Sequence, residues 1–130
     1  MTTELTVLGL AALLQALQMG AFSVAANRQV GADTALGPRD EPVRLTGMAG
    51  RLQRAMNNHF EALLLFAIAV VVLSFFKITT PFTAACAWAY LGARVLYVPA
   101  YAFGWVPWRS VIWAVGLLAT LAILLAALFT

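Results

Sequence analysis

Four apolar stretches alternate with short polar ones along this chain, and the alternation predicts four helices. The first, residues 5–26, contains no charged residue and is long enough to cross the roughly 30 Å of hydrocarbon in a bilayer. Glu4 precedes it, with no Lys or Arg, and its apolar run exceeds that of a cleaved leader, so it reads as a mature membrane helix. Gln15 and Gln18, three apart, share one face of it and are read as contacts to another helix in preference to a ligand. Residues 27–50 are the one hydrophilic loop. Gly31, Gly37, Pro38, Pro42, Gly47 and Gly50 are expected to break any helix there, while Arg28, Asp33, Arg39, Asp40, Glu41 and Arg44 keep it in water. Arg39-Asp40-Glu41-Pro42 reads as a solvated turn.

The second helix, residues 51–76, changes character halfway. Arg51, Arg54, Asn58 and Glu61 are spaced 3, 4 and 3, which puts all four on one face. From Ala62 to Phe76 there is no charge and a single hydroxyl, Ser74. A connection through Lys77 and Pro81 leads to the third helix, residues 82–103. Tyr90, Arg94, Tyr97 and Tyr101, spaced 4, 3 and 4, give it a second polar seam. The bland reading of that seam is core tyrosines, against which Arg94 argues. Pro99 should kink the helix, since it cannot donate to the carbonyl four residues back. A return turn follows, with Trp105 and Trp108 as interfacial anchors. It leads into the fourth helix, residues 108–129, which has no charge after Arg109. Ser110 reads either as a plain cap of that helix or as a functional hydroxyl.

Composition turns these segments into a fold class. Of 130 residues, 63% are hydrophobic and only 10% charged, with a mean hydropathy of +0.90. A soluble domain of this length has too few polar residues to cover so much apolar surface. The prediction is therefore an all-α integral membrane protein, one domain over residues 1–130 built as a four-helix bundle. The net charge of +3 is no nucleic-acid footprint, because the basic residues sit at helix ends and seams. Cys86 is the sole cysteine and His59 the sole histidine, so neither an intrachain disulfide nor a metal site is expected. Cys86 reads as a small core residue. Arg28, Arg39, Arg44, Arg51, Arg54 and Arg109 flank one side against Lys77 on the other. The positive-inside rule then puts the Arg-rich loops in the cytoplasm and both termini on the opposite side.

An ionised side chain deep in a bilayer costs roughly 2.5–3.5 kcal/mol, so such groups are kept for pairing or for a ligand. Glu61 lies about 15 Å past Arg51 along its helix. Counted from the turn that joins helices two and three, Glu61 and Arg94 fall within about one helical turn in depth. The two are therefore expected to pair. The alternatives for the polar seam are an ion pair that merely locks helices together and a binding site. Arg28, at the membrane boundary beside the polar start of the second helix, is placed to reach the same site.

With these residues in view, the chain resembles the MAPEG family, the membrane-associated proteins of eicosanoid and glutathione metabolism. The likeness covers nearly the whole chain. Its specific part is Arg54-Ala55-x-x-Asn58-x-x-Glu61, with Arg94, Tyr97 and Tyr101 on the third helix and Pro107-x-Arg109-Ser110-Val111 opening the fourth. Trp113 departs from the pattern, which has tyrosine there. The resemblance implies a homotrimer with the co-substrate glutathione between neighbouring subunits near the cytoplasmic face. Arg54, Asn58 and Glu61 would bind it, helped by Arg28, Tyr97 and Tyr101, with Arg51 and Arg94 on the same seams. Arg109 would hold the position of the thiol-activating arginine, with Ser110 beside it. Glutathione carries two carboxylates and one amine, a match to guanidinium forks and one carboxylate. The expected function is a glutathione transferase or peroxidase whose partner substrate is a lipophilic electrophile arriving through the membrane lipids. The main alternative is a non-catalytic membrane protein binding a lipid or thiol in the same pocket. A small multidrug exporter, expected to carry a carboxylate within its first helix, fits less well, since residues 5–26 hold none.

Overall fold

The computed structural model describes residues 2–30, 46–104 and 107–129. They form four helices: α1 (Thr3–Val30), α2 (Gly47–Phe75), α3 (Pro81–Ala102) and α4 (Trp108–Phe129). No strand occurs among the described residues. Helices α1, α2 and α4 are each long and apolar enough to cross a membrane. Helix α3, with 22 residues, has the length, about 33 Å, but not the apolar content. The residues that lower its hydropathy, Tyr90, Arg94 and Tyr97, are buried on its inner face, so they do not meet lipid. The chain is thus an integral membrane four-helix bundle.

The helix ends have local causes. The Thr2 hydroxyl accepts from the Leu5 N–H at 3.3 Å and starts α1. Thr80 and Thr83 form a reciprocal capping box, with Pro81 at the first helical position of α3. Glu4, only 1% exposed, accepts from the Thr83 hydroxyl at 2.8 Å. This ties the start of α1 to the start of α3, at an end where a carboxylate is favoured by the helix dipole. Helix α4 begins at Trp108, with the Pro107 carbonyl accepting from the Ser110 N–H at 3.1 Å. Ser110 therefore lies inside the first turn, and the reading of it as the cap is corrected.

The expected loop of residues 27–50 is shorter than its glycines suggested. Helix α1 runs on to Val30, and α2 takes in Gly47 and Gly50. Ala26 and Ala49 are buried in one cluster there, with Phe22 and Ala25 alongside, and this packing offsets the roughly 1 kcal/mol that a helical glycine costs at Gly50, while Gly47, exposed at φ 59°, only opens the helix. The proposed turn at residues 39–42 and the anchor Trp105 lie outside the described residues. Helix α3 continues through Pro99 to Ala102.

The bundle packs α1 on α2 and α3 on α4, with α2 also touching both α3 and α4 and α1 touching α3. Its main core fills the half remote from the Arg-rich ends: Val7, Ala11, Phe66, Ala69, Val70, Leu73, Ala87, Tyr90, Ala119, Ile123 and Ala127. Alanine is frequent here because, in lipid, helices associate through close van der Waals approach and not through escape from water. Tyr90 stacks on Phe66 with ring centroids 3.9 Å apart. Cys86 packs at the edge of this core, as a small apolar residue would. Leucines, valines and phenylalanines such as Leu17, Leu64, Leu118 and Phe129 stay exposed on the outside, as a lipid-facing surface requires. The other half of the bundle is not filled in this way, and the polar seams lie there.

Candidate functional site

On α2 the buried stripe runs through Ala55, His59, Phe66, Ala69, Val70 and Leu73. Arg54 and Asn58 each precede a residue of this stripe, Ala55 and His59, by one, a rotation of about 100°, and Arg51 and Glu61 share their face. The seam therefore borders the packed face without belonging to it: Arg51, Arg54 and Glu61 are exposed and Asn58 is half-buried. On α3 the seam is itself the packed face, with Tyr90, Arg94 and Tyr97 all buried. Two cavities open where these seams meet α4. One, of about 140 Å³, is lined by Asn58, Glu61, Leu65, Tyr90, Arg94 and Trp113, with Ala62, Gly116, Leu117 and Thr120 behind them. The other, of about 170 Å³, is lined by Asn58, Tyr97, Arg109, Ser110 and Trp113. Asn58 and Trp113 wall both.

Guanidinium groups and phenol rings alternate across this region. Arg54 donates through Nε to the Tyr101 hydroxyl at 2.9 Å. Its guanidinium lies 5.7 Å from the Tyr101 ring centre, and that of Arg109 lies 5.0 Å from it. Tyr97 and Tyr101 contact each other with centroids 5.7 Å apart. Arg94 lies over Tyr97 at 4.3 Å. Arg51 donates to the Ala102 carbonyl at 3.3 Å, a cation at the negative end of α3. Aromatic faces let cations gather without a carboxylate for each, because the ring quadrupole attracts them.

The expected Glu61–Arg94 pair is not formed. Both side chains line the 140 Å³ cavity, so the depth argument holds, but Glu61 is on the exposed seam while Arg94 is 2% exposed. Arg94 lies against Tyr97 instead, and its Nε and Nη2 have no hydrogen-bond partner. Periodicity gave the right seam on α2 but not its angle to the packed stripe. Arg28 is the other residue the single chain sets apart. It lines a groove of about 690 Å³ between α1 and α2, with Gly20, Val24, Met48 and Leu52, and borders neither cavity near Arg94 and Arg109.

Some lining residues were not foreseen. Gly116 and Thr120 are on α4, the Thr120 hydroxyl donating to the Gly116 carbonyl at 3.0 Å. The only sequence signal was a glycine and a hydroxyl four apart in an otherwise apolar run. At the α1–α2 contact, Gln15 hydrogen-bonds His59 Nδ1 at 2.8 Å, the helix-to-helix role expected of it. Gln18 is buried with neither amide atom partnered. No cluster able to hold a metal occurs among the described residues.

Residues 2–129 match the model of the MAPEG family. Neither a curated protein nor a solved structure matches the chain.

Proposed function

The chain belongs to the MAPEG family, whose members are glutathione-related transferases or peroxidases, and from that premise we propose that it is a glutathione-dependent membrane transferase or peroxidase for lipophilic electrophiles. The observation that carries the reading is the gathering of Arg54 and Arg109 around Tyr101, with Arg109 lining a cavity that Asn58, Tyr97, Ser110 and Trp113 also wall. Glutathione's two carboxylates suit the Arg51 and Arg54 guanidinia, and its ammonium suits Glu61, which leaves Arg109 for the sulfur. The residues present fit the tripeptide.

Chemistry follows from the thiol. With a pKa near 8.5, an unperturbed thiol is only a few per cent ionised at neutral pH. Arg109 is in the first turn of α4, so its charge and the helix N-terminus both favour the thiolate, whose proton leaves to water. Lowering the pKa by about two units takes about 2.7 kcal/mol of differential stabilisation. Ser110, beside the same cavity, is the hydrogen-bond donor for the sulfur. The thiolate then attacks the electrophilic carbon, the C–S bond forms, and the leaving group departs with its electron pair.

The same reading includes a homotrimer. Glu61 is exposed near the middle of α2 in a single chain, where lipid contact is costly, and a neighbouring copy would cover it. Arg28 would then join the site from an adjacent subunit. The Arg-rich ends would face the cytoplasm.

Ultraviolet difference spectroscopy of bound thiolate at neutral pH tests the mechanism. Wild type should form thiolate, and Arg109→Ala should lose it while keeping glutathione affinity within about threefold, as expected if Arg54, Asn58 and Glu61 carry most of the binding. Glutathione binding without thiolate in wild type would instead favour the non-catalytic binding protein.

A further inference from the structure

Among the described residues, none gives the most deeply buried cation of the bundle a counter-charge. Arg94 is 2% exposed, and its Nε and Nη2 have no acceptor. One turn earlier on α3, Tyr90 is 1% exposed and its hydroxyl is also unpartnered. Both residues line the same cavity of about 140 Å³. A buried guanidinium without a partner is among the costlier arrangements a membrane bundle can hold. Tyr97 compensates only in part. Its ring lies 4.3 Å from the Arg94 guanidinium carbon, and such a contact uses the face of the cation, whereas hydrogen bonds are made in its plane.

The other lining groups narrow the choice of occupant. Glu61 is the cavity's other charged residue, and it is exposed and makes no ion pair with Arg94. The Thr120 hydroxyl is already spent on the Gly116 carbonyl. Asn58 Oδ1 is buried and unpartnered, and turning the amide would offer its N–H groups instead. Gly116 keeps the space open, since a Cβ there would touch Arg94 Cδ at 3.6 Å and Tyr90 Cδ2 at 3.9 Å. The remaining walls, Ala62, Leu65 and Leu117, are carbon. A polyoxyanion would leave oxygens unsatisfied against them, whereas a monovalent halide needs few donors and loses less hydration.

We propose that this cavity is a binding site for a small inorganic anion, chloride in ordinary salt, held by Arg94 Nε and Nη2 and the Tyr90 hydroxyl. The site supplies the counter-charge that lets Arg94 stay buried. It does not depend on glutathione, although a carboxylate has the same chemistry and would compete for the same donors.

The test is thermal unfolding of the detergent-purified protein without glutathione, in sodium chloride or bromide against sodium isethionate at equal ionic strength. Halide should raise the wild-type Tm saturably, by about 3 °C. Tyr90→Phe should need about tenfold more halide for the same rise, and Arg94→Leu should not respond. Glu61→Gln removes a nearby negative charge and should bind halide more tightly. If Arg94→Leu does not fold, chloride-35 NMR line broadening on wild type and Tyr90→Phe gives the same comparison. A wild-type Tm indifferent to the anion, or equal halide midpoints in wild type and Tyr90→Phe, overturns the proposal. So does a response that appears only in Glu61→Gln, for then Glu61 is the counter-charge. A halide response in a protein that does not bind glutathione would leave the anion site standing and remove the glutathione reading.

Discussion

Gln15 and His59 form the contact on which residue-scale reasoning is easiest to test. His59 is fully buried and its Nδ1 meets Gln15 Oε1 at 2.8 Å, while its Nε2 has no partner. Removing Gln15 alone leaves a second unsatisfied ring nitrogen, which costs about 1–3 kcal/mol. Replacing both with apolar side chains of similar size removes the unsatisfied groups together. Gln15→Leu should therefore lower thermal stability, and the Gln15→Leu/His59→Leu pair should recover most of the loss. Additive losses in that double-mutant cycle would show that the two side chains do not depend on each other. The sequence indicated the role of Gln15, from its place on an apolar face. It could not identify His59 as the partner, because a sequence gives the faces of helices but not which faces meet. The same gap explains Glu61 and Arg94: their depths agreed, and their angles about the helix axes did not.

At the scale of elements, the turn between α2 and α3 holds a conformation that composition does not reveal. Lys77 sits at φ 56°, in the left-handed region. Its N–H donates to the Ser74 carbonyl at 3.1 Å, and the Ile78 N–H donates to the Leu73 carbonyl at 3.1 Å. These two bonds are a Schellman ending, whose left-handed position is usually glycine. A side chain in that conformation costs roughly 1–2 kcal/mol, part of which glycine returns through its larger unfolded-state entropy. Lys77→Gly should raise stability by about 1 kcal/mol in thermal unfolding, and a loss of stability would mean that the lysine side chain makes a compensating contact. The turn was legible from Lys77 through Pro81. Its backbone state was not, since lysine gives no signal for it. The start of α3 was read one residue late, at residue 82, because the Thr80 cap went unread, and the start of α2 was obscured at Gly50, which is buried inside the helix.

For the whole molecule, the four apolar segments were enough to identify the bundle, because in lipid every backbone donor must be met within its own helix. What the pattern could not supply is the surface each helix offers to a neighbour. Glu61 is the decisive residue. It is the fifteenth of the 29 residues of α2 and is exposed in the single chain, so an isolated chain in a membrane would present a carboxylate to hydrocarbon or pull water to it. That costs roughly 2.5–3.5 kcal/mol, a cost that assembly removes if the partner covers the seam. Native mass spectrometry should accordingly show a trimer of wild type, and monomer or dimer alone would sink the homotrimer. Glu61→Leu carries the argument further. Leucine is at ease in lipid, so the isolated chain no longer pays the penalty and the drive to associate falls by about the same amount. The trimer should then dissociate at protein concentrations about a thousandfold higher than wild type, because each of its three subunits loses that drive. An unchanged dissociation would place the subunit interface on another face of the bundle and leave Glu61 exposed to water inside the assembly.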